Sequence, residues 1–98
     1  MRISDIRGGM SRVSIDAAEV VSVSEAREVR LKDGSKARVA DCVIQDDSGR
    51  IKLTLWNEQI DMVREGSKIS ITNGYTKEFK GENTLNIGRY GRLDVVEY

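Results

Sequence analysis

Between Gly49 and Gln59 the chain keeps a strict period of two: Ile51, Leu53 and Leu55 alternate with Arg50, Lys52, Thr54 and Trp56. A helix would repeat its apolar positions every three to four residues, so this pattern demands a strand with one buried and one wetted face. The only tryptophan of the chain therefore falls in phase with two cations and a threonine, not with the aliphatic residues. A large flat ring is wasted on a basic, solvated face unless something flat lies on it. A polyanion that carries flat rings would meet both requirements.

The rest of the chain continues the same rhythm. Val13, Ile15 and Ala17 alternate, and the alternation slips around Ala17-Ala18-Glu19 before Val20, Val21 and Val23 resume, as a bulge in one long bent first strand requires. Glu28 to Ser35 carries a hairpin signal at Asp33-Gly34. Lys36 to Gln45 is the second strand, and its facing stays open: Ala40, Cys42 and Ile44 form one row, Val39 and Val43 the other. Asp46-Asp47-Ser48-Gly49 turns the chain into the third strand.

After Trp56, residues 57–65 read as a short helix, with Asn57 as N-cap, Ile60 and Val63 on its apolar face and Gly66 as its stop. Ile69 and Ile71 point inward from a fourth strand, and Asn73-Gly74 leaves the phase of Tyr75 open. Lys77 to Asn83 forms the tip of a long hairpin. Leu85 and Ile87 face inward with Asn86 outward, and Leu93, Val95 and Val96 end a last strand broken by Gly88 and Gly91. At the other end Ser4-Asp5-Ile6-Arg7 is a helical turn stopped by Gly8-Gly9, with Ile3, Ile6 and Met10 plugging one end of the fold.

Three strands, a short helix and two strands, with no proline and several glycine bends, describe an all-β domain spanning residues 1–98. The order predicts a five-stranded OB-fold barrel with the helix between strands 3 and 4. In such barrels oligonucleotides lie across strands 2 and 3, flanked by the loops that join strands 1–2 and 4–5. That face would carry Arg50, Lys52, Thr54 and Trp56, and the 4–5 hairpin would add Lys77, Phe79 and Lys80.

Composition narrows the function classes. The formal net charge is zero, so any attraction to a polyanion must be local. From Tyr75 to Leu93, Lys77, Lys80, Arg89 and Arg92 stand against only Glu78 and Glu82. All five aromatic residues lie at or after position 56, which leaves the core of the first half to aliphatic side chains and frees rings for the surface. Without histidine, and with acids that form no recognisable cluster, no catalytic site, metal centre or cofactor is expected. The single Cys42 reads as a small core residue, which suits a reducing cytoplasm. No apolar run reaches the length of a membrane span.

At the level of motifs, the run Asp46-Asp-Ser-Gly-Arg-Ile-Lys-Leu-Thr-Leu-Trp-Asn-Glu-Gln59 resembles the strand 2 to strand 3 signature of archaeal single-stranded-DNA-binding proteins of the replication protein A family. Gly74-Tyr-x-x-x-Phe-Lys-Gly81 is similar to that family's 4–5 hairpin, Leu85-Asn-Ile-Gly-Arg89 to its fifth strand, and Ile3 to Met10 to its lead-in. The resemblance implies base stacking on Trp56 and Phe79, with Tyr75 as a contact of some members. Some relatives carry an aromatic residue at the position of Asn86. Here a ring returns only at Tyr90, where stacking and simple packing at the rim are both open.

Arg50, Lys52, Lys77, Lys80, Arg89 and Arg92 are the candidates for phosphate contacts, with Lys36 and Arg38 on the opposite loop. The expected activity is sequence-tolerant binding of single-stranded DNA in replication, recombination or repair, in the cytoplasm at the nucleoid, with RNA and other replication or repair proteins as further candidate partners. The alternative is an OB-fold subunit that assembles such a complex without gripping nucleic acid itself.

Overall fold

The protein is seen in a computed structural model that describes residues 2–88 and 91–97, with the side chains of Phe79 and Glu97 outside the description. Its strands are β1 (Val13–Val23), β2 (Arg27–Arg30), β3 (Lys36–Asp46), β4 (Gly49–Trp56), β5 (Lys68–Phe79), β6 (Glu82–Asn86) and β7 (Arg92–Glu97), with one short helix, α1 (Glu58–Met62), between β4 and β5. Five of the strands close into a ring in the order β1-β3-β4-β6-β5, and β5 returns to β1. β2 adds to β3 and β7 to β5 outside that ring. This is the OB-fold expected from the order of elements.

Closure depends on the irregular first strand. The first half of β1 pairs with β5, from Val13↔Gly74 to Glu19↔Lys68, and its second half pairs with β3, from Glu19↔Gln45 to Val23↔Cys42. Register shifts between Ile15 and Ala18, and between Val20 and Ser22, let one strand serve two partners. The slip in alternation at Ala17-Ala18-Glu19 is this bulge. Parallel pairing of Lys52↔Thr84 to Thr54↔Asn86 closes the other side.

Inside the ring lie Val13, Ile15, Ala18, Val20, Cys42, Ile44, Ile51, Leu53, Leu55, Ile69, Ile71 and Leu85, all buried. Ala40, Cys42 and Ile44 are thus the inward row of β3. Val63 closes one end of the ring, and Ile3 and Ile6 act as a plug as expected. The N-terminal turn is a 3-10 turn at Ile3–Asp5, slightly earlier than the sequence indicates. It is tied to the β3–β4 turn, where the Ile3 N–H donates to Asp46 at 2.9 Å and the Ser4 N–H to Ser48 Oγ at 3.0 Å.

Two local expectations fail for identifiable reasons. Asn57 does not cap α1 with its side chain; it sits at φ 51°. Its Oδ1 instead accepts the Arg38 N–H at 3.1 Å, so a cross-strand bond takes the oxygen that capping would have used. The helix is also shorter than residues 57–65, because Val63 is already extended at φ −120°, ψ 156° and drops into the core. The last strand is broken as its glycines indicate, into β6 before Gly88 and β7 after Gly91.

Candidate nucleic-acid interface

Register places every side chain of the outer face. Directly opposed residues of neighbouring strands share a face, and alternate residues along a strand return to it. On β4 that face carries Arg50, Lys52, Thr54 and Trp56, opposite Gln45, Val43, Asp41 and Val39 of β3. On the other flank β6 sets Thr84 beside Lys52 and Asn86 beside Thr54. β5 then sets Lys77 beside Thr84 and Tyr75 beside Asn86.

These strands floor a cleft of about 510 Å³. Lys52, Thr54 and Trp56 line it from β4, Thr84 and Asn86 from β6, and Lys77 from β5. The hairpin of β2 and β3 supplies the remaining wall, with Arg27, Val29, Arg30, Leu31, Val39 and Asp41. Trp56 is half-buried here and presents part of its ring to the opening. Its cross-strand neighbour Val39 is only 3% exposed although it faces away from the main core. β2 lies beside β3 with Arg27 opposite Val39 and Val29 opposite Ala37, so on this face Val39 is flanked by Arg27 on one side and Trp56 on the other. Val29, Leu31 and Val39 thus make a small apolar platform beside the tryptophan in the cleft lining, and the Trp56 backbone N–H is held by Gln59 Oε1 at 3.1 Å.

The cleft is cationic yet tempered by acids. Arg27, Arg30, Lys52 and Lys77 stand against Asp41 and Glu82, a surplus of two positive charges. Both carboxylates are engaged: Arg27 meets Asp41 at 3.5 Å, and Lys52 meets Glu82 at 3.5 Å. A polyanion entering the cleft must displace these contacts. Such exposed pairs are worth about 0–1 kcal/mol, so exchange for phosphate costs little.

Not every expected residue enters the cleft. Tyr75 is turned outward, 42% exposed, and its ring crosses the backbone at Gly88, where a Cβ would fall 2.8 Å from the ring. Its phase was unreadable because Asn73 adopts φ 58°, a left-handed kink that Asn tolerates and that resets the alternation. Arg50 sits on the same face but beyond the cleft, donating to Gln45 at 3.0 Å. Lys80 and Gly81, at φ 52° and 77°, form the tight two-residue turn of the β5–β6 hairpin. Phe79 is placed by backbone alone, as the residue before that turn and opposite Glu82. Arg89 and Tyr90 lie outside the described residues.

Among the further cations, Arg38 is bound to Asp61 at 2.8 Å, Lys36 pairs with Glu28 and Arg92 with Asp94, all away from the cleft. Arg27, Arg30, Leu31 and Asp41 were missed by sequence reasoning, since only the folding of β2 against β3 brings them to this face. The hairpin signal at Asp33-Gly34 was the available clue. Cys42 is buried inside the ring, and burial, helped by the charge of Asp41, pushes its thiol up to about 12, so it holds its proton. Among the described residues no group of side chains could hold a metal ion, and no helix is long and apolar enough to cross a membrane.

The comparison with known proteins agrees with this geometry. Residues 8–95 match the family described as single-stranded DNA binding protein Ssb-like, OB fold. The chain belongs to that family. The single-stranded DNA binding protein Ssb of Saccharolobus solfataricus is 32% identical over 87 residues, which is 89% of this chain and 57% of that protein. The chain thus spans little more than half the length of this relative. The second OB-fold domain of replication protein A from Methanococcus maripaludis superposes with a TM-score of 0.81 at 29% identity, covering 100% of this chain and 95% of that domain. A replication factor A related protein from Methanobacterium thermoautotrophicum shares the fold, with a TM-score of 0.79 at 23% identity over 98% of this chain and 89% of its own. The Ssb-like assignment and these structural neighbours bear out the resemblance to the archaeal replication protein A group.

Proposed function

We propose that this Ssb-like chain binds single-stranded DNA with little dependence on sequence, serving replication, recombination or repair. The observation that carries the proposal is Trp56. It is a partly exposed ring beside apolar side chains, set in a cleft with a surplus of positive charge, in a chain of this family. Each base stacked on an aromatic side chain contributes about 1–3 kcal/mol, and every base has a flat face to offer. Lys52, Lys77, Arg27 and Arg30 line the cleft and follow the phosphates, with Arg50 and Lys80 extending the track and Arg89 a further phosphate candidate from the sequence. Phe79 and Tyr75 provide further stacking at the hairpin flank, and Thr54 and Asn86 form the polar floor between them and Trp56.

Because Trp56 is the sole tryptophan, its fluorescence reports occupancy of the cleft directly. Titration with oligo-dT is expected to quench the emission saturably, and the quenching should reverse on adding salt. Emission that stays constant at oligonucleotide concentrations giving saturation by an independent size-based assay would show that DNA binds elsewhere. Absence of binding in both assays would overturn the proposed activity.

A further inference from the structure

Three cross-strand pairs lay a transverse row immediately beside Trp56, of which Asp41, Thr54 and Asn86 line the cleft and Tyr75 lies at its outer end. Asp41 stands opposite Thr54, Thr54 opposite Asn86, and Asn86 opposite Tyr75, so four strands contribute one side chain each. The adjacent row toward α1 holds Val39 and Trp56, and the row on the other side holds Val43, Lys52, Thr84 and Lys77. The cleft is therefore banded into a stacking surface, a hydrogen-bonding row and a cationic row. The middle band is the row next to Trp56, within reach of the edge of a base stacked there.

The middle band is unspent. Among the described residues, neither the Thr54 hydroxyl nor the Asn86 amide enters a protein hydrogen bond, although both line the cleft and are half-buried. Asp41 is fixed from behind: its N–H donates to Ser24 Oγ at 2.9 Å, and its carbonyl accepts the Ser24 N–H at 2.8 Å. Its carboxylate makes one long contact, to Arg27 at 3.5 Å, and its side chain keeps 34% exposure. An ionised carboxylate can only accept hydrogen bonds.

That restriction separates the two pyrimidines. Cytosine offers an N4 amino donor where thymine offers the O4 acceptor, and a carboxylate pairs with the first and is repelled by the second. We infer that Asp41, flanked by Thr54 and Asn86, reads the edge of the base stacked on Trp56 and biases the cleft toward bases with an exocyclic amino group, cytosine over thymine. The inference rests on the stacking mode proposed above and sharpens it. Mild preferences of single-strand binders ordinarily come from stacking strength and backbone flexibility. Here a fixed acceptor adds a readout of the base edge to a mode that otherwise accepts any sequence.

The test compares labelled dC and dT oligonucleotides of equal length at pH 8, where cytosine is unprotonated. The wild-type protein is expected to hold dC about fivefold to tenfold more tightly. Asp41→Asn, whose amide can donate as well as accept, brings that ratio close to one while tightening both complexes, because a negative charge has left the cleft. Arg27→Gln weakens both complexes and keeps the ratio, since the carboxylate stays. On the nucleic-acid side, oligonucleotides of N4,N4-dimethylcytosine, which lack the donor, lose the advantage over dT with wild-type protein. Equal affinity of the wild type for dC and dT overturns the inference, as does a preference that survives in Asp41→Asn. Failure to bind either oligonucleotide overturns the single-strand reading beneath it, which is a different outcome from equal binding.

Discussion

Among the described residues, Trp56 is the one ring that lines the cleft, and alanine at this position removes it. The geometry fixes how much this should matter. Trp56 is half-buried in the cleft, and the simplest complex stacks one base on it. One stacked base is worth about 1–3 kcal/mol, and a middle value of about 2 kcal/mol weakens binding roughly thirtyfold. The four cleft cations remain, so binding should weaken without vanishing. Truncation also uncovers Val39. A half-buried indole shields on the order of 100 Å², or about 2–3 kcal/mol of stability at about 25 cal/mol per Å². A domain with stability in the usual range of about 5–15 kcal/mol stays folded after that loss. The assay is fluorescence anisotropy of a labelled oligo-dT, because the variant has lost its own reporter. Circular dichroism establishes that the variant is folded. Trp56→Phe, which keeps a flat ring, should recover most of the lost affinity. If folded Trp56→Ala binds within about twofold of wild type, the ring does not stack and the reasoning fails.

The remaining predictions concern charge, thiol reactivity and pH. With four cations lining the cleft, log K should fall against log salt with a slope of about −3 for a single strand, measured by titration across salt concentrations. Glu82→Gln should tighten binding about threefold at low salt, the value of one unit charge about 6 Å away in water, and the gain should disappear at high salt. Cys42, with its thiol raised to about 12 by burial, should ignore a thiol reagent at pH 8 in the folded protein and react fully in denaturant. Burial alone would raise the Asp46 carboxyl, yet bonds from Ser48, Ile3 and Gly49 outweigh it and hold it down at about 2. A depressed carboxylate stabilises the fold above its unfolded pKa of about 4, and that contribution is lost as pH falls toward 2. Urea unfolding should therefore show Asp46→Asn less stable than wild type at pH 6, with the difference narrowing steadily below pH 4.

Much of this arrangement was written in local patterns. The phase of Trp56 against Ile51, Leu53 and Leu55 declared both the strand and the odd placement of the ring, because a pleated strand leaves no other option. The slip at Ala17-Ala18-Glu19 declared the bend that closes the ring of strands. What stayed hidden depends on tertiary placement or on single backbone angles. Nothing in the alternation of Lys36 to Gln45 shows that Val39 is buried on the outer face, since Trp56 and Arg27 of β2 flank it only in the fold. Arg27 and Asp41 looked like scattered surface charges until that same strand brought them to the cleft. Asn57 carried a good capping sequence, but Arg38 across the sheet claimed its oxygen. The phase of Tyr75 turned on one left-handed residue, Asn73, which no periodicity reveals.

The apolar platform beside Trp56 has a kinetic side. An indole on an open strand would rotate among rotamers and lose that freedom each time a base arrived. Here the indole is half-buried beside Val39, which narrows its rotamers, and the Gln59 bond fixes its backbone when the cleft is empty. Preorganisation of this kind moves the ordering of the side chain from the binding step to folding. The freedom lost on association then falls mainly on the flexible strand of DNA. Capture at this position should accordingly be limited by encounter and not by rearrangement of the protein. Differences between variants of the platform should appear in how long a strand stays rather than in how fast it lands.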